Sequence, residues 1–299
     1  MIYLEKFTLP TEDEEAGHLR DSGKNQATCY TSRYPFGVFS RREVPELSFQ
    51  DITVLCGGNG SGKTTILNLI AECVMAGRRS SFNQSSFFED YVGLCGVELS
   101  REYTRRVQSS SRIITSDDVF ESLLDLRAQN EAIARRREDL IGEYADARND
   151  TGFQMRSMSD LDRLRKVVDA QRHSPSRYVR DRVMNDIPEK SNGESAFLYF
   201  TREIQENGLY LLDEPENSLS PRLQEKLRDF LEESVRFYRC QFVISTHSPF
   251  LLAMRGAKVY NLDSVPVQPC RWTELEHIQT YWRFFQERRG ELEEKDFSV

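Results

Sequence analysis

The residues best suited to chemistry in this chain are Gly57-Gly58-Asn59-Gly60-Ser61-Gly62-Lys63-Thr64-Thr65. They fit the spacing G-x-x-x-x-G-K-[ST], in which glycines let successive backbone N–H groups turn toward phosphate oxygens. Lys63 is a mobile positive charge for the β- and γ-phosphates of a nucleoside triphosphate, and the Thr64 hydroxyl is placed to ligate Mg²⁺. A second constellation lies far along the chain, where Asp213-Glu214 ends the apolar run Leu209-Tyr210-Leu211-Leu212. Two adjacent carboxylates are costly to bury without a cation. Asp213 can hold Mg²⁺ through water, and Glu214 can orient or deprotonate an attacking water. His247 ends a further apolar run, Gln241 to Ile244, and is flanked by Ser245, Thr246 and Ser248. A polar residue there faces the carboxyl edge of an open α/β sheet, where ligands bind, so His247 is expected to sense the γ-phosphate.

These residues need strands and helices to position them. Ile52 to Cys56 reads as the strand before the glycine loop, and Ile66 to Ala71 continues the helix after it, whose N-terminal dipole adds to the anion site. Residues 1–9 alternate as a strand, Thr11 to Asn25 reads as an exposed acidic loop, and Tyr30 to Phe39 reads as an aromatic edge strand or a stacking surface for adenine. Ser116-Asp117-Asp118 resembles a helix N-cap with an acidic first turn, opening a helix from Val119 to about Arg148. A second helical piece runs from about Met158 to Gln171, and together they make a small helical insertion. Pro221 to Val235 is helical with Ser220 as N-cap, Val259 to Leu262 is a last strand, and residues 273–295 form a polar amphipathic helix.

Composition narrows the class. The chain has 299 residues, 29% charged and 38% hydrophobic, with a net charge of −8. That balance argues against a surface coated throughout for nucleic acid, while local basic patches stay open. No run approaches a membrane span, and the start lacks a signal-peptide core. The six cysteines include no C-x-x-C pair and read as reduced thiols of a cytoplasmic protein, without a zinc site. The arginine-dense stretch 163–182 reads either as a nucleic-acid or partner surface, or as a solvated face with Asp162, Asp169 and Asp181 as intrachain partners.

A further stretch, Ser191-Asn192-Gly193-Glu194-Ser195, precedes the helical run Ala196 to Ile204. Taken in order, Gly-x-Asn-Gly-Ser-Gly-Lys-Thr-Thr, Ser-x-Gly-Glu-Ser, Leu-Leu-Asp-Glu-Pro-Glu and Ser-Thr-His-Ser-Pro resemble an ABC-type ATPase head of the soluble SMC/RecF-like class. Within that class the chain resembles small bacterial AAA/ABC ATPases with a Ser-His-Gly-Glu-Ser-like signature. The resemblance covers most of the chain and is weak over roughly residues 80–185. It implies an α/β P-loop NTPase, an ABC-ATPase-like head with a central mixed β-sheet flanked by helices. It divides the chain into an N-terminal core part (1–80), the insertion (81–188), a C-terminal core part (189–270) and a C-terminal helix (271–299).

By resemblance, Asn59 to Thr65 bind ATP, Thr64 and Asp213 hold Mg²⁺, and Glu214 and His247 are catalytic. Ser191, Gly193 and Glu194 match the signature that contacts the γ-phosphate held by an opposite subunit, and Asn217 to Ser220 match the loop at the dimer seam. Asn192 departs from the His common in that group. The Mg²⁺-contacting glutamine is not fixed: Gln84 is one candidate and the segment at Asp117 and Asp118 another. The implied activity is ATP hydrolysis in an ATP-dependent homodimer or higher oligomer. Such a dimer would drive or gate a separate effector such as a nuclease or toxin, with DNA as a further partner and no membrane, in anti-phage defence or DNA repair. The alternative is an ATP-gated scaffold without turnover that holds an effector inactive. A small-molecule kinase and a transporter motor fit the signature less well, and the stretch after His247 is too short for an appended nuclease domain.

Overall fold

The computed structural model describes residues 1–21, 30, 32–40, 42–44, 46–150, 160–185, 187 and 191–293. In chain order the elements are β1 (Leu4–Thr8), α1 (Glu12–Asp21), β2 (Leu47–Ser48), β3 (Ile52–Cys56), α2 (Lys63–Cys73), α3 (Phe88–Val92), β4 (Gly96–Leu99), α4 (Arg105–Ser110) and β5 (Arg112–Thr115). Then follow α5 (Ser116–Asn149), α6 (Leu161–Arg172), α7 (Pro175–Arg180), α8 (Asn192–Glu203), β6 (Leu209–Asp213), α9 (Pro221–Tyr238) and β7 (Gln241–Ser245). The last are α10 (Pro249–Leu252), β8 (Lys258–Asn261), β9 (Gln268–Cys270), α11 (Glu276–Glu287) and α12 (Arg289–Glu293).

Two sheets form. The larger has the order β5-β6-β7-β3-β8-β9, parallel except for the β8–β9 pair. Its inner strands β3, β6 and β7 are buried at every residue, the pattern of strands covered on both faces. The register sets Asp213 beside Ser245, and Ser245 beside Leu55 of the phosphate-loop strand. The smaller sheet is antiparallel, β2-β1-β4, and β1 buries Leu4 and Phe7 either side of a register shift between Leu4 and Lys6. This is the central mixed sheet with flanking helices that the sequence implies.

Side chains join the sheets: Tyr260 and Lys258 of β8 bond to Ser48 of β2, and Gln241 of β7 reaches β1. Gln241 Oε1 accepts from the N–H groups of Tyr3 and Leu4, both at 2.8 Å, and its Nε2 donates to Leu4 O at 2.9 Å and Gln50 O at 3.1 Å. Gln241→Leu keeps the volume and strands four backbone groups. At ~1–3 kcal/mol for each buried group left unpaired, a loss of ~3 kcal/mol or more in urea unfolding is expected, and an unchanged midpoint would contradict it.

The chain makes two compact units, Met1–Val119 with Asn192–Val299, and Phe120–Ser191. The insertion therefore starts later than residue 81, because β4 pairs with β1 and β5 pairs with β6. The smaller unit has its own core of Leu140, Tyr144, Ala170, Tyr178 and Val179. Five cations of its basic stretch are paired, Arg163 with Asp150, Arg165 with Asp162, Lys166 with Glu143, Arg177 with Asp181 and Arg182 with Asp169, while Arg172 and Arg180 are exposed. Of the acidic partners expected from the sequence, Asp162, Asp169 and Asp181 all make these pairs.

Several local expectations are corrected. The acidic stretch after Thr11 is the helix α1 rather than a loop. Thr11 and Glu14 close a reciprocal cap, with Glu14 accepting from the Thr11 N–H at 2.8 Å. Glu15 is buried in it and accepts from the Gly37 N–H and the Tyr91 hydroxyl; residues 22–25 lie outside the description. Tyr34 to Ser40 is a run of turns and bends, not an edge strand, and Tyr34 and Phe36 pack on the main core. Helix α5 is capped one residue earlier than expected, by Thr115, whose N–H and hydroxyl both reach Asp118 Oδ2. Met158 lies outside the described residues, as does Cys29. The C-terminal helix is broken at Arg288 into α11 and α12, after a short 3-10 turn at Trp272–Glu274. Among the described residues no helix is long and apolar enough to cross a membrane.

Candidate functional site

The site is built at the carboxyl ends of β3, β6 and β7. Between β3 and α2 the chain wraps through Gly60 at φ 78° and Gly62 at φ 94°, a left-handed conformation that favours glycine. Space also demands glycine: a Cβ on Gly62 would sit 2.5 Å from the Phe39 ring, and one on Gly57 2.7 Å from Ser61 Oγ. Ile66 is the first residue of α2 to bond back, to Gly62 O at 2.9 Å. The amides of Lys63, Thr64 and Thr65 thus form the first turn that an anion meets at a helix N-terminus. Lys63 is buried, and its Nζ donates to Gly57 O at 2.8 Å and Gly58 O at 3.2 Å.

Across from this loop, Thr64 Oγ1 donates to Asp213 Oδ1 at 3.2 Å, and Ser245 Oγ donates to the same oxygen at 2.5 Å. Asp213 is buried, and burial pushes its carboxyl above the usual range, against the pull of Ser245, Thr64 and Lys63. Such a group is better satisfied by a cation than by hydroxyls alone. Glu214 follows at φ 47°, strained for a residue with a side chain. Its N–H donates to Ser245 O, and its Oε2 accepts from Asn217 Nδ2 at 2.9 Å. His247 stands past the end of β7, half-buried, its backbone N–H donating to Glu216 Oε1 at 2.6 Å. Burial first, and then the Lys63 charge, hold its imidazole below the ordinary value.

The family described as "AAA domain, putative AbiEii toxin, Type IV TA system" matches residues 74–253, well over half of the chain. The chain belongs to this AAA-domain family. The match begins just past α2, so the phosphate loop rests on its own sequence and geometry. Among solved structures, an Smc head from Pyrococcus furiosus bound to the C-terminal domain of ScpA is similar, with 13% identity over 97% of this chain and 100% of that one, at a TM-score of 0.45. An SMC head from Thermotoga maritima shares 13% identity over 90% of this chain and 99% of that one, at 0.40. A dimeric ATP-binding cassette bound to ADP and Pi shares 14% over 78% and 92%, at 0.34. No curated protein matches. In this AAA-domain chain the phosphate loop, the Asp213-Glu214 pair and His247 all lie at the carboxyl ends of strands of one central sheet.

The remaining expected residues of this AAA-domain protein fall into two groups. Ser191, Asn192 and Glu194 are exposed. Gly193, in the first turn of α8, is held so close that a Cβ would meet Leu223 at 2.9 Å and Ser218 O at 3.2 Å. Gln84 is exposed in a cleft of about 460 Å³ lined by Tyr30, Ser32, Tyr34 and Asn83. Tyr34 carries its hydroxyl to Thr65 Oγ1 at 2.8 Å, so this cleft adjoins the phosphate loop. Asp118 is buried, its Oδ1 accepting from Ser80 and its Oδ2 from Thr115, so it caps the start of α5. Two residues were missed. Arg42 donates to the carbonyls of Gly60, Ser61 and Leu262 and so fixes the outer wall of the loop, with no sequence signal beyond its charge. Glu216 is half-buried with Oε2 unpartnered among the described residues, and burial raises its carboxyl. Its signal lay in plain view, two residues past Glu214.

Proposed function

We propose that this AAA-domain ATPase binds ATP with Mg²⁺, hydrolyses it to ADP and phosphate, and closes on nucleotide as a head-to-tail homodimer that drives or gates a separate effector. The observation that carries the reading is the meeting of Thr64 Oγ1 and Asp213 Oδ1 at 3.2 Å, with Glu214 next in sequence. A hydroxyl and a buried carboxylate so placed fit a hard divalent cation, which takes oxygen ligands and keeps several waters. Thr64 and Asp213 would hold Mg²⁺, with Gln84 a further candidate; the ion supplies charge neutralisation at the phosphates.

The residues Asn59 to Thr65 cradle the phosphates. Lys63, whose ammonium turns back onto two loop carbonyls, is freed to meet β- and γ-oxygens. Glu214 takes the proton of a water that attacks the γ-phosphorus, the bond to the β-phosphate oxygen breaks, and ADP leaves. His247 has an Nε2 without a partner among the described residues, which would donate to a γ-phosphate oxygen. The exposed Ser191 and Glu194 with Gly193 complete the site of a second copy, as a signature turn at a helix N-terminus can. A cytoplasmic role beside a nuclease or toxin, in anti-phage defence or DNA repair and with DNA as a further partner, is the setting this reading favours. The test is molar mass by light scattering together with phosphate release, with and without ATP and Mg²⁺. A nucleotide-dependent doubling of mass with turnover is expected. Unchanged mass, or bound ATP that never turns over, would overturn it.

A further inference from the structure

His247 is not the only histidine at this edge of the sheet. Its ring meets that of His277, on α11, edge to face, with centroids 5.9 Å apart and planes at 76°. His277 in turn meets the ring of Tyr281 one helical turn on, at 6.3 Å and 87°. In both histidines Nε2 is buried and has no hydrogen-bond partner among the described residues. Glu216 fixes the backbone of His247, but nothing tethers Nε2 of the ring. Its direction is therefore set by packing, and the edge-to-face preference of π-systems gives that packing an angle as well as a distance.

We propose that His277 is a positioning residue, whose ring fixes the orientation of His247 in the nucleotide site and so ties α11 to the state of that site. The proposal rests on reading His247 as the group that meets the γ-phosphate. The charges around the pair come from three other elements. His247 faces Lys63 of α2, Glu214 after β6 and Asp263 after β8, and His277 faces Lys63 and Asp263. Burial is the largest influence on each ring and holds both below the ordinary range. A neutral imidazole still offers one N–H to a phosphate oxygen. Because neither Nε2 bonds to the other, ring surface and not hydrogen bonding does the positioning. A change in the direction of His247 on nucleotide binding must repack His277, and α11 carries Tyr281, Trp282 and Phe285 exposed beside it.

The full-length chain tests this through kinetics and spectra. His277→Ala should lower kcat about tenfold, as small misplacements do, and leave ATP affinity within about twofold, the mark of an interaction made in the transition state. His277→Phe keeps a ring without nitrogens and should stay within about threefold of wild type, since positioning is by packing. On a His247→Ala background, His277→Ala should cost nothing further, since residues acting as a unit are non-additive. Additive losses, or a folded Phe variant no better than Ala, would overturn the proposal. A second readout needs no turnover. The chain has four histidines, so their imidazole ¹⁵N signals are assignable by substitution. In Glu214→Gln, adding ATP and Mg²⁺ should move the signals of His247 and His277 together; a silent His277 beside a moving His247 would sink the idea. If calorimetry finds no ATP binding, it is the nucleotide-site reading that fails. The ring contact is then judged without nucleotide, by whether His277→Phe shifts the His247 signals; no shift overturns it.

Discussion

Glu214→Gln is expected to bind ATP and keep it, with phosphate release reduced by about 10³-fold, in the range that a positioned general base contributes. The substitution preserves shape. Gln at φ 47° carries the same backbone strain as Glu, and its amide oxygen can accept from Asn217 Nδ2 as the carboxylate does at 2.9 Å. What it removes is the group that takes the proton. The trapped state should be a nucleotide-dependent dimer, because ATP adds association free energy only if two copies share it. Ser191→Arg on the same background sets bulk and charge at an exposed position. It should prevent closure while leaving ATP binding at Lys63 intact. Light scattering and ATP retention read both variants. Equal mass and equal retention in the two would rule out the shared site and leave a monomeric binder or an ATP-gated scaffold.

Lys63→Ala should weaken ATP binding by at least about 100-fold in a calorimetric titration. A charge-assisted hydrogen bond contributes roughly 1.5–3 kcal/mol, and a buried ammonium facing phosphate oxygens makes more than one. The geometry sharpens the expectation, since Nζ already sits between Gly57 O and Gly58 O within the loop. Lys63→Arg should fail to rescue, because a planar fork cannot occupy the place of a compact ammonium in a site only 5% exposed. A melt of each variant separates lost affinity from a loop that no longer folds. Unchanged affinity in a folded Lys63→Ala chain would refute the phosphate-loop reading.

The parts that were legible in the sequence are those whose physics is local. The glycine loop, the strand run into Asp213-Glu214 and the strand before His247 are each written in a few consecutive residues, and the structure brings their ends to one sheet edge. The sheet itself was legible as a class, through buried apolar runs, though β9 was not, since Gln268-Pro269-Cys270 carries no strand pattern. Two caps were overlooked at Thr11 and Thr115 although both have a carboxylate three residues on, because acidity alone suggested loop or first turn. The start of the insertion was misplaced because β4 and β5 are defined by partners at Leu4 to Thr8 and Tyr210 to Asp213, and pairing at that range leaves no mark on either segment. Arg42 and His277 have the same character. Each acts through groups more than a dozen residues away, and only tertiary structure shows them.

The strand order has a consequence for how the chain is made. The phosphate-loop strand β3 pairs with β7 and β8, whose residues enter the chain some two hundred positions later. Gln241 reaches back across 237 residues to Leu4. During synthesis the apolar segment Ile52–Cys56 therefore emerges long before either neighbour exists, and loop closure of that length must precede any reward from pairing. A nascent chain halted before β7 has a complete glycine loop and no floor beneath it. The nucleotide pocket is thus among the last features to assemble, and the unpaired β3 makes slow translation or early truncation a hazard for aggregation.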